Sequence, residues 1–103
     1  MPQYDIYIPL KYNDGRNIEP HKFDLTRQEL IKQFGGLTII PAEGSIEGWW
    51  KFGDRIIRDE IKIYRVSATQ HDAIFWQTYK ETLRNRFEQE EIFISIIPEA
   101  TTI

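Results

Sequence analysis

The chain has 103 residues, of which 41% are hydrophobic and 28% charged; this suits one globular domain with a single core. A net charge of -3 argues against a dedicated nucleic-acid binder, which carries a basic excess. The absence of cysteine excludes disulfides, thiolate metal sites and thiol nucleophiles, and makes a reducing cytoplasm the expected compartment.

The N-terminal stretch MPQYDIYIPL has no basic segment followed by an apolar one, so no signal peptide is expected. No apolar run approaches the ~20 residues of a membrane helix. Tyr4 to Leu10 alternates: Tyr4, Ile6, Ile8 and Leu10 share one face of a half-buried strand, with Asp5, Tyr7 and Pro9 on the other. Residues 11–23 read as a loop with Asn13-Asp14-Gly15 as its turn. Thr26 to Phe34 reads as a helix. Thr26 and Glu29 make a capping-box pattern and Leu25 with Leu30 a hydrophobic staple. Leu30, Ile31 and Phe34 form its apolar stripe, and Gly35 is its stop.

Leu37 to Ile40 is a short strand ended by Pro41. Next comes EGSIEGWWKFGD, residues 43–54, which reads as a turn-like arm crowded with Trp49, Trp50 and Phe52. Arg55 to Ser67 is a long strand. Alternation places Ile57, Ile61 and Ile63 on its core face and Arg58, Glu60, Lys62 and Tyr64 on the other; Asp59 and Val66 break the pattern, as a bulge or frayed ends would. Thr69 with Asp72 marks the start of a helix over residues 70–88. Ala73, Trp76, Tyr79 or Lys80, Leu83 and Phe87 recur along it at spacings of three and four. Ile92 to Ile97 is the last strand.

The order β-α-β-β-α-β, with one apolar stripe per helix, predicts an α+β, ferredoxin-like sandwich spanning residues 1–103: an antiparallel four-stranded sheet with both helices on one face. The other face is then bare. It is predicted to carry Tyr7, Thr38, Ile40, Arg58, Glu60, Lys62, Tyr64, Phe93, Ser95 and Ile97, with the aromatic arm at its rim.

Chemistry is sparse. His21 and His71 lack partners at metal-ligand spacing. No phosphate loop or nucleophile elbow is present, and the carboxylates are not paired by spacing. No metal site and no cofactor are expected, and the reading leans away from catalysis. The arm admits three readings: a lid over the domain's own core, a subunit contact, or a pocket for a ligand or partner. The favoured function is a non-catalytic domain that self-associates, as a homodimer, or binds a protein or small molecule. Tyr7, Trp49, Trp50, Phe52, Arg58, Glu60 and Tyr64 would form its surface. For Arg58, Glu60 and Lys62 the simpler reading is a charge pattern that keeps an exposed sheet soluble. Base stacking on Tyr7, Tyr64 and Phe93 is the nucleic-acid alternative; the strand IKIYRVSA, residues 61–68, has a single aromatic and lacks the aromatic-basic core such stacking uses.

Two resemblances add to this. The opening PQYDIYI, residues 2–8, resembles the start of the tautomerase superfamily. The resemblance is confined to the N-terminus and implies Pro2, exposed by methionine removal, as a general base with a lowered pKa. Across most of its length the chain resembles a group of bacterial proteins of similar size without established activity. That resemblance lies in IYIPLK at 6–11, FGGLT at 34–38, Gly48-Trp49, Arg58 to Glu60, and Gln89, and it implies a fold type alone.

Overall fold

The computed structural model describes all 103 residues. Five strands, β1 (Gln3–Pro9), β2 (Thr38–Ile40), β3 (Ile46–Phe52), β4 (Arg55–Ser67) and β5 (Ile94–Ile97), are joined with helices α1 (Pro20–Phe34) and α2 (Ala73–Phe87). Every strand pair is antiparallel. The main path is β2-β4-β1-β5, and β3 pairs with β4 off that path. Without β3 this is the expected ferredoxin-like order. The sheet has five strands rather than four because the aromatic arm is itself a strand: seven residues of it pair with β4 from Ile46 opposite Ile61 to Phe52 opposite Arg55. Gly53 and Asp54 alone make the turn. Gly53 sits at φ +61°, the positive angle that the first position of a two-residue hairpin turn requires.

Register decides which side chains meet the helices. Directly opposite residues share a face, and Tyr4, Ile6 and Ile8 of β1 lie opposite Val66, Tyr64 and Lys62 of β4. Tyr64 and Val66 are therefore core residues, packed with Leu30, Trp76, Tyr79, Leu83 and Phe87 from the helices. This corrects the face assigned to β4 from sequence. Tyr64 is 3% exposed and lies beneath the helices, and Arg58, Glu60 and Lys62 continue that same side beyond them. Ile61 and Ile63 point to the bare face with Pro9 and Tyr7. Alternation misled because both faces of β4 carry isoleucine.

Helix α1 begins six residues earlier than expected, at Pro20, which occupies a first-turn position where no N–H is needed. The stripe is thus Phe23, Thr26, Leu30 and Phe34, and Leu25 and Ile31 lie exposed. Thr26 is a fully buried mid-helix residue, and no side chain caps the helix. Helix α2 starts at its Asp72 cap, whose carboxylate accepts from the Phe75 N–H at 3.0 Å, rather than near Thr69.

The buried Thr26 belongs to a polar latch between the helices. The Thr26 hydroxyl donates to the Lys22 carbonyl at 2.8 Å and accepts from Arg86 Nη1 at 2.8 Å. The same guanidinium donates to both oxygens of Glu29 at 2.6 and 2.9 Å, and the Tyr79 hydroxyl donates to Glu29 at 3.0 Å. Hydrogen bonding from Arg86 holds the Glu29 carboxyl below the usual carboxylate range, against the opposing effect of its partial burial. A depressed folded-state pKa contributes stability that is present above the unfolded value, ~4.3, and is lost as pH falls through the folded one. Glu29→Gln is expected to cost about 1–2 kcal/mol in urea unfolding at neutral pH, since Glu29 is partly exposed and the pair partly screened. The difference from wild type should shrink steadily as pH is lowered below ~4; a pH-independent difference would show that charge is not what the latch uses.

Candidate functional site at the arm and the bare sheet face

β1 ends opposite Ile61, so residues 55–60 of β4 have only β3 beside them, apart from one bond from Leu10 N–H to the Glu60 carbonyl at 3.0 Å. β3 and this half of β4 make a two-stranded arm. Register sorts its side chains. Ile46, Gly48, Trp50 and Phe52 share the bare-face side with Ile61, Asp59, Ile57 and Arg55, while Glu47, Trp49 and Lys51 share the other side with Glu60, Arg58 and Ile56.

The three aromatics of the arm have different fates. Trp50 turns back onto the domain. Its ring stacks on Phe93 at 5.3 Å between centroids and 15° between planes. It also lies flat across Gly48, where an added Cβ would stand 3.1 Å from the indole; a glycine there lets the ring lie flat. Phe93 precedes β5 and its carbonyl accepts from the Tyr7 N–H, so this stack ties the arm to the far side of the bare face. Trp49 and Phe52 do not fold back. They are 58% and 64% exposed, and Ile56 beside them is 73% exposed.

The predicted polar residues are occupied. Arg58 donates to Glu47 at 3.0 Å, and the Trp49 indole N–H donates to the same carboxylate at 3.2 Å. The Arg58 bond, then the Trp49 bond, hold Glu47 below the usual carboxylate range. Glu60 pairs with Lys11 at 3.1 Å. These are exposed pairs, which contribute little to stability but order the side chains on one flank of the arm. Sequence reasoning missed Asp5 and Arg65, which face each other across β1 and β4 on the bare face and make two bonds of 2.8 and 2.9 Å. Their opposite charges at matching strand positions were visible in the sequence, but only the register pairs them.

With Tyr64 in the core, the bare face carries Tyr7, Pro9, Ile40, Ile61, Ile63, Phe93 and Ile97, with the polar Gln3, Thr38, Ser67 and Ser95, around the Asp5–Arg65 pair. Tyr7 remains there for a stacking ring; Phe93 is already stacked by Trp50, and Tyr64 is in the core. Pro2 is buried at the foot of β1, where its carbonyl accepts from the Ala68 N–H, and the amino group of Met1 before it donates to the Ala100 carbonyl. His21 is exposed in the first turn of α1. His71 accepts or donates at Nδ1 with the Tyr4 hydroxyl at 2.8 Å. Burial keeps the Tyr4 hydroxyl protonated to higher pH than a free tyrosine. No three His, Asp or Glu side chains stand close enough together to share a metal ion, and no helix is long and apolar enough to cross a membrane.

No family model matches the sequence, and neither does any curated protein. Among solved structures the chain is similar to the divalent cation tolerance protein Cut A1 from Thermus thermophilus. The two are 13% identical, the likeness covers 100% of this chain and 88% of the other, and the TM-score is 0.67. At that identity the likeness establishes the fold, which is ferredoxin-like, and leaves the function to be argued from this chain's own surface.

The tie between the arm and the sheet can be measured. In a double-mutant cycle, Trp50→Ala and Phe93→Ala should couple by about 0.5–1.5 kcal/mol, the range for stacked aromatic pairs. Strictly additive losses would mean that the arm is not held by this stack.

Proposed function

We propose that this is a non-catalytic domain that self-associates, with the β3–β4 arm and the bare sheet face as its binding surface and a dimer as the assembled state. The observation that carries the reading is that the arm exposes large apolar side chains on both of its sides. Trp49 and Ile56 are on one side, Phe52 and Ile57 on the other, and Phe93 is the ring it meets on its own chain. A two-stranded ribbon is marginal in water, and an exposed apolar patch of this kind marks an interaction surface.

Area is sufficient. Trp49 and Phe52, rings of the ~150–250 Å² class, together with Ile56, Ile57 and part of the bare face approach the ~800 Å² per partner of a stable interface. Charge favours a second copy as the occupant. Along the arm Glu47, Asp54, Asp59 and Glu60 are interleaved with Lys51, Arg55 and Arg58, so the ribbon is mixed in sign, within one charge of neutral, and complementary to itself rather than to a strongly basic or acidic partner. The bare face of a neighbour supplies the matching apolar surface in Tyr7, Ile40, Ile63 and Ile97. In this reading Trp49 and Phe52 are the anchors, and Arg58, with Glu47, sets orientation at the rim.

Sedimentation equilibrium tests it. The wild-type chain is expected to be associated at micromolar concentration. Phe52→Glu and Ile56→Glu, both at exposed positions, should give monomers with unchanged far-ultraviolet circular dichroism. A wild-type chain that remains monomeric at high micromolar concentration rules the proposal out.

A further inference from the structure

We propose that the groove between α2 and the outer edge of β5 binds a small monocarboxylate with an apolar body. The groove lies on the helix side of the sheet, away from the surface assigned to self-association, and it exists because α2 does not extend over the edge strand. Its volume is about 250 Å³, the share of roughly eight water molecules in the liquid at ~30 Å³ each. An occupant has on the order of ten non-hydrogen atoms by the same measure.

The floor is rigid. The Tyr4 ring, 1% exposed, stacks on Trp76 at 4.3 Å between centroids. Ile94 and Ile96 form the strand-side wall. These four side chains define an apolar slot open to solvent along its top. The polar side chains at the rim are His71, Gln77 and Lys80. No carboxylate lines the groove, although the chain has 16 acidic residues against 13 basic ones. Each rim group can donate. The Tyr4 hydroxyl lies 2.8 Å from Nδ1 of His71; in the tautomer in which that hydroxyl donates, the ring carries its proton on Nε2 and offers it as a donor. Lys80 bonds to Glu91 at 2.8 Å, and an ammonium has two further protons to give. Lys80, met on one side by Glu91, and two further donors, His71 and Gln77, around an apolar slot suit a single negative charge shared over two oxygens.

The test uses the full chain labelled with 15N and three probes: 3-phenylpropionate, the alcohol 3-phenylpropan-1-ol, and inorganic phosphate. The acid should shift the Trp76 indole N–H and the amides of residues 71–80 and 94–96 saturably, with a Kd of about 1 mM or tighter. The alcohol lacks the charge and phosphate lacks the apolar body; each should bind at least ~10-fold more weakly, the worth of one hydrogen bond to a charged group. Lys80→Met should weaken the acid ~10-fold and leave the alcohol unchanged. Gln77→Glu, at an exposed position, should abolish acid binding by placing a like charge at the rim. The proposal is overturned by any of four results: no saturable shift, shifts centred on Trp49 and Trp50, alcohol or phosphate binding as tightly as the acid, or Lys80→Met binding the acid like wild type.

Discussion

One mismatch of lengths organises this molecule. β4 has 13 residues and, at ~3.3 Å per step, runs to roughly 40 Å. β1 beside it has seven residues, about 20 Å on the same scale. The helices above it have 15 each, about 22 Å at 1.5 Å per residue. The core therefore covers half of β4. The other half, with β3 alongside, leaves the domain as an arm, and the longest dimension of the fold reaches 40 Å. Where helices and neighbouring strands stop, the side chains of the ribbon have each other, the Phe93 ring, Lys11 and solvent.

The register between β1 and β4 then decides what the arm and the bare face are made of. Ile6 opposite Tyr64 sends the aromatic ring and Val66 inward and turns Ile61 and Ile63 outward. A sheet face meant for water carries polar residues at such positions. Here the isoleucines continue into Ile57, Trp50 and Phe52 along the same side of the ribbon. Ile61 is 7% exposed even so, and the stack of Trp50 on Phe93 explains how the arm is held near the face it borders. The charged residues of the opposite side pair locally, Arg58 with Glu47 and Glu60 with Lys11. This is the charge pattern of an exposed ribbon, and in the proposed assembly the binding energy comes from the apolar groups.

Beneath that surface the two helices are joined by the Arg86–Glu29–Thr26–Tyr79 latch. It accounts for the one buried polar side chain of the core: Thr26 is tolerated mid-helix because its hydroxyl both donates and accepts. Buried donors and acceptors that are fully paired fix one mutual arrangement of two helices where apolar packing alone allows sliding. That arrangement also leaves β5 uncovered at its outer side and so makes the groove over Tyr4 and Trp76.

The sequence by itself determined the number and order of the helices, the core face of β1, Trp76, Leu83 and Phe87 as buried positions of α2, and hence the α+β ferredoxin-like plan; it left Tyr79 and Lys80 as alternatives and counted Ala73, which is exposed, with the stripe. Each of these rests on local periodicity, which a single element expresses without its neighbours. It also marked the arm as the unusual segment, through three aromatics near glycines. Only the tertiary structure decided that the arm is a strand, that Trp50 packs while Trp49 and Phe52 do not, that Asp5 meets Arg65, and that Tyr64 belongs to the core. The physical reason is the same in each case. A strand shows its period but not its phase: when both faces carry isoleucine, only pairing with a second strand says which face is inside. The start of α1 escaped for a related reason, because Thr26 resembles a cap until Arg86, sixty residues away, supplies its partner.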